Sequence, residues 1–169
     1  MRYRQGLVWL LGMVMVVLYA SPVLAGPGSF FQGDLTDVEP TTDRVTDGAW
    51  AVASATVQNG QTVVRLNVKE LDGEWAGETF GAHVHVGPCV AGNGGAALGH
   101  YHTGLPGPLA HNEVWLDFTV TNGRTGHAVA IADFEIPAAA AQSIVIHALP
   151  TNPDTGAAGA RMACLPLEF

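Results

Sequence analysis

Short alternating segments separated by turn signals constrain the fold of this chain more than any other feature. Over residues 64–69, valine and leucine alternate with polar side chains, which is the period of a strand with one buried face. The segments 50–57 and 114–120 are closely followed by Asn59-Gly60 and Asn122-Gly123, a dipeptide typical of tight hairpin turns. The sequence therefore predicts strands joined by turns rather than helices.

Seven strand-like segments are distributed along the chain after residue 48. They cover residues 50–57, 62–68, 83–86, 114–120, 128–136, 143–149 and 162–167. Two long irregular segments, 87–112 and 150–160, are rich in Gly, Pro and Ala, and long loops on a β scaffold often carry binding or catalytic residues. We expect an all-β fold: a Greek-key β-sandwich or flattened barrel of about seven to eight antiparallel strands with two functional loops.

The first 25 residues have the pattern of a signal peptide. Arg2 and Arg4 precede a 12-residue apolar run, and the small residues Val23 and Ala25 close the segment. That run is shorter than the roughly 20 residues that span a bilayer, although an uncleaved membrane anchor is the alternative. We predict a signal peptide at 1–25, a loose lead-in at 26–47 and the functional domain at 48–169. The mature protein is expected to be secreted or periplasmic, with no membrane association after cleavage.

The two cysteines are interpreted on the expectation that the protein is exported. Cys89 and Cys164 are the only cysteines of the chain. In an oxidising compartment an even pair is most simply a disulfide. Two buried free thiols are the alternative.

The charge balance excludes one class of partner. The chain has 15 acidic and seven basic residues, and the basic residues form no run. Because phosphate contacts need clustered Lys and Arg, we expect no nucleic-acid partner. Only three basic residues follow position 66, namely Lys69, Arg124 and Arg161, so each of them needs an explanation.

Histidines supply the clearest candidates for chemistry. His83 and His85 are two residues apart, so on a strand both rings project from the same face. His100 and His102 repeat the spacing at the end of a Gly-rich loop, and His147 ends an apolar run. Each histidine taken singly is more often a half-buried residue with a polar partner. Several imidazoles that converge would suit a transition metal.

Four motifs in order resemble the copper/zinc superoxide dismutase family, over about residues 48–169. Gly81-Ala82-His83-Val84-His85 is similar to its paired-histidine strand, and Gly99-His100-Tyr101 is similar to the segment with its metal-bridging histidine. Ile144-Val145-Ile146-His147 resembles the strand of its last copper ligand. Residues 155–164 resemble its C-terminal segment, with the Thr-Gly, Ala-Gly, Arg and Ala-Cys in register.

The resemblance implies a copper enzyme that disproportionates superoxide to oxygen and hydrogen peroxide. Arg161 would attract the superoxide anion, because a guanidinium stays charged and offers paired donors. Cys89 and Cys164 occupy the positions of the family's disulfide. The copper ligands carried over by position are His83, His85, His100 and His147.

The zinc site is where the sequence departs from the family. Carried over by position, its ligands would be His100, His102, His111 and Glu113. Their spacing is not the family's, and the loop between residues 100 and 113 is several residues shorter. Thr151 replaces the Asp that links the two metal sites in the family. We therefore expect a reduced, copper-only variant, with zinc at this set as the alternative.

Other functions are compatible with parts of the same pattern. A non-catalytic copper-binding or copper-buffering domain on the same scaffold fits the shortened loops. A blue-copper electron carrier needs a Cys with His and Met close behind, and no His follows Cys164. A structural β-domain with chance histidines is the simplest alternative. Both a monomer and a homodimer are compatible with the sequence.

Overall fold

The computed structural model describes residues 28–39, 46–137 and 139–167. The predicted signal peptide at 1–25 lies outside these residues. Within them, no helix has the length and apolar character needed to cross a membrane.

The described residues form an all-β structure, as the alternation predicts. Their helical segments are three short 3₁₀ turns, at Gly73–Trp75, Gly94–Ala97 and Leu109–His111. The ten strands, three of them only two residues long, are β1 (Ser29–Asp34), β2 (Thr36–Asp37), β3 (Trp50–Gln58), β4 (Gln61–Lys69), β5 (Thr79–Phe80), β6 (Ala82–His85), β7 (Phe118–Thr119), β8 (Thr125–Ala132), β9 (Ser143–His147) and β10 (Arg161–Pro166).

Two four-stranded antiparallel sheets pack together as a β-sandwich. One sheet has the order β1-β3-β4-β8 and the other β2-β10-β9-β6, while β5 and β7 form a separate pair. Neighbours such as β4 and β8, or β6 and β9, are far apart in sequence, as a Greek-key connection requires. Val64, Leu66 and Val68 of β4 are almost fully buried and Arg65 is exposed, which confirms the predicted faces of that strand. The apolar core lies between the sheets.

The segment predicted as a loose lead-in contains two strands. β1 pairs along its whole length with β3, from Ser29 opposite Ala55 to Asp34 opposite Trp50. β2 pairs with β10, so both sheets gain an edge strand from the N-terminal segment. The prediction of a loose lead-in at 26–47 is therefore wrong for the residues of β1 and β2. Their partners lie more than a dozen positions away, and a local pattern does not reveal such pairing.

The predicted strand at 114–120 is regular only at Phe118–Thr119. Its alternation is nonetheless real, because Val114, Leu116 and Phe118 are all buried in the core. The opposite face is covered by the loop at 150–160: residues 113, 115 and 117 are directed toward that loop and take part in the site described next.

Candidate metal centre

Neighbouring strands of one sheet position three of the predicted histidines. β6 carries His83 and His85, and His147 ends β9, which pairs with β6. Every residue of these two strands is buried, so the rings project from a rigid support. His100 reaches the same place from the loop after β6, through a β-bridge with His85.

The structure brings all four predicted copper ligands together. One ring nitrogen from each of His83, His85, His100 and His147 lies within 4.8 Å of the others. His83 and His85 are completely buried, while the side chain of His100 is 18% exposed. A set of four imidazole nitrogens is suited to a transition metal such as copper or zinc. The described part of the chain is thus a β-sandwich with a buried four-histidine cluster that can hold a metal ion.

Hydrogen bonds fix the tautomer of three of these rings. His85 Nδ1 lies 3.2 Å from the Leu98 carbonyl oxygen, and His147 Nδ1 lies 3.3 Å from the carbonyl oxygen of residue 159. His100 Nδ1 lies 2.7 Å from a Glu113 carboxylate oxygen. Because these oxygens only accept, each Nδ1 must carry the proton and donate. Each Nε2 is left with a free lone pair for a metal.

His83 is held in the opposite tautomer by a short relay. Its Nε2 lies 2.7 Å from the Thr151 hydroxyl, and that hydroxyl donates to Asp117 at 2.6 Å. Since the hydroxyl proton is given to the carboxylate, the hydroxyl accepts from His83 Nε2. The buried Nδ1 of His83 then has no hydrogen-bond partner among the described residues. A buried polar atom without a partner is costly, and a metal ion in the cluster would satisfy it.

Three of the rings are held neutral. Burial, with the charges of the neighbouring histidines and Arg161, lowers the pKa of His83 to about 2 and that of His85 to about 3. Burial likewise lowers the pKa of His147 to about 4. Two free lone pairs, on Nε2 of His85 and of His147, face each other at 3.3 Å. That arrangement is repulsive unless a cation lies between them, so the cluster fits a bound metal.

The lowered pKa values predict that the metal-free protein loses stability in mild acid. The ordinary pKa of a histidine in an unfolded chain is about 6.5. Below that pH these three histidines bind protons in the unfolded chain but stay neutral in the folded cluster. The free energy of unfolding should therefore fall as pH drops from about 7 to about 5. Thermal unfolding of metal-free protein over this range measures it. A midpoint that does not change between the two pH values contradicts the prediction.

Arg161 lies beside the cluster because it begins β10 opposite His147 on β9. The register of the pair shifts between Arg161 and Ala163, as at a β-bulge. The guanidinium donates to the Gly94 oxygen at 2.7 Å and also to the Leu98 oxygen. His100, His147 and Arg161 line one open pocket. A fixed positive group thus borders the accessible side of the cluster.

The predicted zinc ligands do not come together. His102 and His111 are exposed, and the cluster of four histidines is the only group of three or more His, Cys, Asp or Glu side chains that could share an ion within the described ranges. Glu113 instead accepts from His100 and, at 2.7 Å, from the indole N–H of Trp115. One carboxylate oxygen of Glu113, Oε2, thus already has two donors. The prediction of zinc at this set is not supported by the geometry.

The two cysteines are joined, as predicted. Cys89 and Cys164 form a disulfide that connects the loop after β6 to the buried strand β10. The bridge packs with Val38, Ala97 and Val145 in a small apolar cluster. It therefore ties the loop that follows His85 to the strand that carries Arg161.

Sequence reasoning did not identify Thr151 and Asp117 as supporting residues. Thr151 entered the prediction only as a departure from the family, and Asp117 did not enter it. The signal was present in the alternation of 113–118, which puts Glu113, Trp115 and Asp117 on one side. A loop at 150–160 covers that side, and Gly156 approaches both Glu113 and Trp115.

The sequence matches no protein-family model, and a search of curated proteins finds no significant relative.

Proposed function

We propose that this protein is an exported superoxide dismutase of the copper/zinc superoxide dismutase family that uses copper alone. The observation that carries the proposal is the convergence of four imidazole lone pairs beside a fixed guanidinium. When bound there, copper would supply one-electron chemistry, in which two superoxide anions and two protons give one oxygen and one hydrogen peroxide.

The residues of the chain would supply binding, orientation and charge. Histidines 83, 85, 100 and 147 would hold the copper, and their hydrogen bonds to carbonyls, Glu113 and the Thr151 hydroxyl would fix the rings before the metal arrives. Arg161 would attract superoxide to the open side. The chain carries a formal net charge of −8, so a local positive group has to overcome the long-range repulsion of an anion.

The exposure of His102 and His111, and the two donors already bound by Glu113, support copper as the only metal. In the family, the second metal ion binds the other ring nitrogen of the bridging histidine. In this proposal Glu113 takes that place at His100, because it accepts the Nδ1 proton and leaves Nε2 toward the copper. The Thr151–Asp117 pair orients His83 in the opposite sense: the hydroxyl accepts the Nε2 proton, and Nδ1 is left toward the copper.

The test is metal content and activity of mature protein exposed to copper and zinc together. We expect one copper and no zinc per chain, with superoxide removal that depends on the copper. A copper-loaded, folded but inactive protein would contradict the enzyme and favour a copper-buffering domain. Azide separates the two independently: it should perturb the visible spectrum of an open copper site and leave a closed one unchanged.

Substituting Glu113→Gln should weaken copper binding without removing it. The neutral amide loses the charge-assisted bond to His100 Nδ1, and hydrogen-bond partners of this kind are typically worth about 10- to 100-fold in metal affinity. Competition with a copper chelator measures the change. Glu135→Gln, at an acidic residue outside the site, is the matched control. Equal affinities for the two variants would show that the carboxylate does not support the ligand.

A further inference from the structure

Leu98 adopts a backbone conformation that glycine takes far more easily than any residue with a side chain. Its φ is 58° and its ψ is −146°, a region in which the Cβ atom clashes with the backbone. The side chain does not account for this, since it is 57% exposed. Contacts of the backbone must hold Leu98 in place.

Those contacts lead directly to the metal centre. The Leu98 carbonyl accepts from His85 Nδ1 at 3.2 Å and from the guanidinium of Arg161. One oxygen therefore anchors both a proposed copper ligand and the group proposed to attract the anion. The Leu98 N–H donates to the Gly95 oxygen at 3.1 Å.

The flanking peptides fix the chain on either side of Leu98. Gly87 N–H donates to the Ala97 oxygen at 2.9 Å, and Val86 N–H donates to the Gly99 oxygen at 3.1 Å. A Cβ on Gly87 would come within 2.2 Å of a backbone oxygen at residue 96, so this close approach requires glycine at 87. A strained residue persists only where its surroundings determine its conformation in this way.

We propose that Leu98 is a positioning residue whose strained peptide makes Arg161 and His85 depend on each other. The two hydrogen bonds to its oxygen jointly oppose the strain. When the bond from Arg161 is lost, the peptide relaxes and the oxygen leaves His85 Nδ1, so the ring is less well held for copper. This inference rests on copper binding at the four-histidine cluster, as proposed above, and is independent of the reaction with superoxide.

Glycine at position 98 should remove the dependence. It takes the same conformation without strain, so the carbonyl stays beside His85 whether or not Arg161 is present. Alanine should preserve the dependence, because its Cβ meets the same obstruction as that of leucine. The pair Leu98→Gly and Leu98→Ala therefore separates backbone strain from the loss of the isobutyl group.

The first experiment is a double-substitution cycle read out as Cu(II) affinity. Arg161→Ala is made in the natural chain, in Leu98→Gly and in Leu98→Ala, and affinity is measured by competition with a chelator. The direct effect of the lost charge is common to all three and cancels. We expect Arg161→Ala to weaken copper binding about fivefold more in the natural chain than in Leu98→Gly. Leu98→Ala should resemble the natural chain.

Two results would overturn the proposal. The first is an equal effect of Arg161→Ala in the natural chain and in Leu98→Gly, because the two sites would then be uncoupled. The second is coupling lost in Leu98→Ala as well, because the side chain and not the strain would be responsible. Either result with normal copper binding and activity would leave the proposed function standing.

A second measurement needs no metal. Relief of strain should place the thermal midpoint of metal-free Leu98→Gly roughly 2–6 °C above that of Leu98→Ala, which loses the same isobutyl group and keeps the strain. A midpoint of Leu98→Gly that is equal to or lower than that of Leu98→Ala would overturn the strain and the proposal with it. A protein that binds no copper would contradict the proposed function, and this thermal comparison would still decide the question of strain.

Discussion

Substituting His147→Ala is expected to abolish copper-dependent superoxide removal. The ring is 4% exposed, its Nδ1 is committed to a carbonyl oxygen, and its Nε2 is one of the four converging nitrogens. Alanine removes that nitrogen and leaves three ligands around a space shaped for four. Loss of a ligand should cost more than the loss of its hydrogen-bond partner, so we expect copper affinity to fall by at least about 100-fold. Activity per chain and copper competition are the two measurements.

Histidines elsewhere in the chain supply matched controls. His127 is an exposed residue of β8, in the sheet that does not carry the cluster. It hydrogen-bonds to Asn67 on the neighbouring strand β4. His127→Ala should keep full copper affinity and activity. His102→Ala and His111→Ala should do the same, because neither residue joins the cluster. If either of these two substitutions removed zinc or activity from the purified protein, the copper-only proposal would be wrong.

The fold was largely accessible from the sequence because its strands carry their own pattern. The alternation over β4 and the turn signals after β3 and before β8 were sufficient to predict a sandwich. The edge strands β1 and β2 were missed. Their pairing with β3 and β10 depends on the completed sheets, and no periodicity within 29–37 shows it.

Sequence motifs predicted the metal ligands of the site but not the residues that support them. His83, His85, His100 and His147 lie in segments whose order resembles a known family, so the sequence alone groups them. The Thr151–Asp117 pair joins residues 34 positions apart, and the strain at Leu98 arises from three separate segments that meet. Zinc was retained as an alternative because spacing alone cannot show that Glu113 already binds His100 and Trp115.

Removing the disulfide should destabilise the fold strongly. Cys89 and Cys164 are 75 residues apart. In the chain-entropy account, closing a loop of that length lowers the entropy of the unfolded chain and so stabilises the folded state by roughly 4 kcal/mol. The double variant Cys89→Ala/Cys164→Ala should therefore show a free energy of unfolding lower by about that amount. Urea unfolding of metal-free protein measures it. Natural protein unfolded under reducing conditions is the control and should behave like the variant.

The same double substitution should also change the metal centre, through the position of Arg161. The disulfide ties the loop after β6 to β10, and that loop supplies the Gly94 and Leu98 oxygens that hold Arg161. Without the bridge, the guanidinium should lose its fixed position even where the protein remains folded. Azide affinity of the copper-loaded variant should then fall at a temperature well below its unfolding. Unchanged azide affinity would mean that the hydrogen bonds hold Arg161 without help from the disulfide.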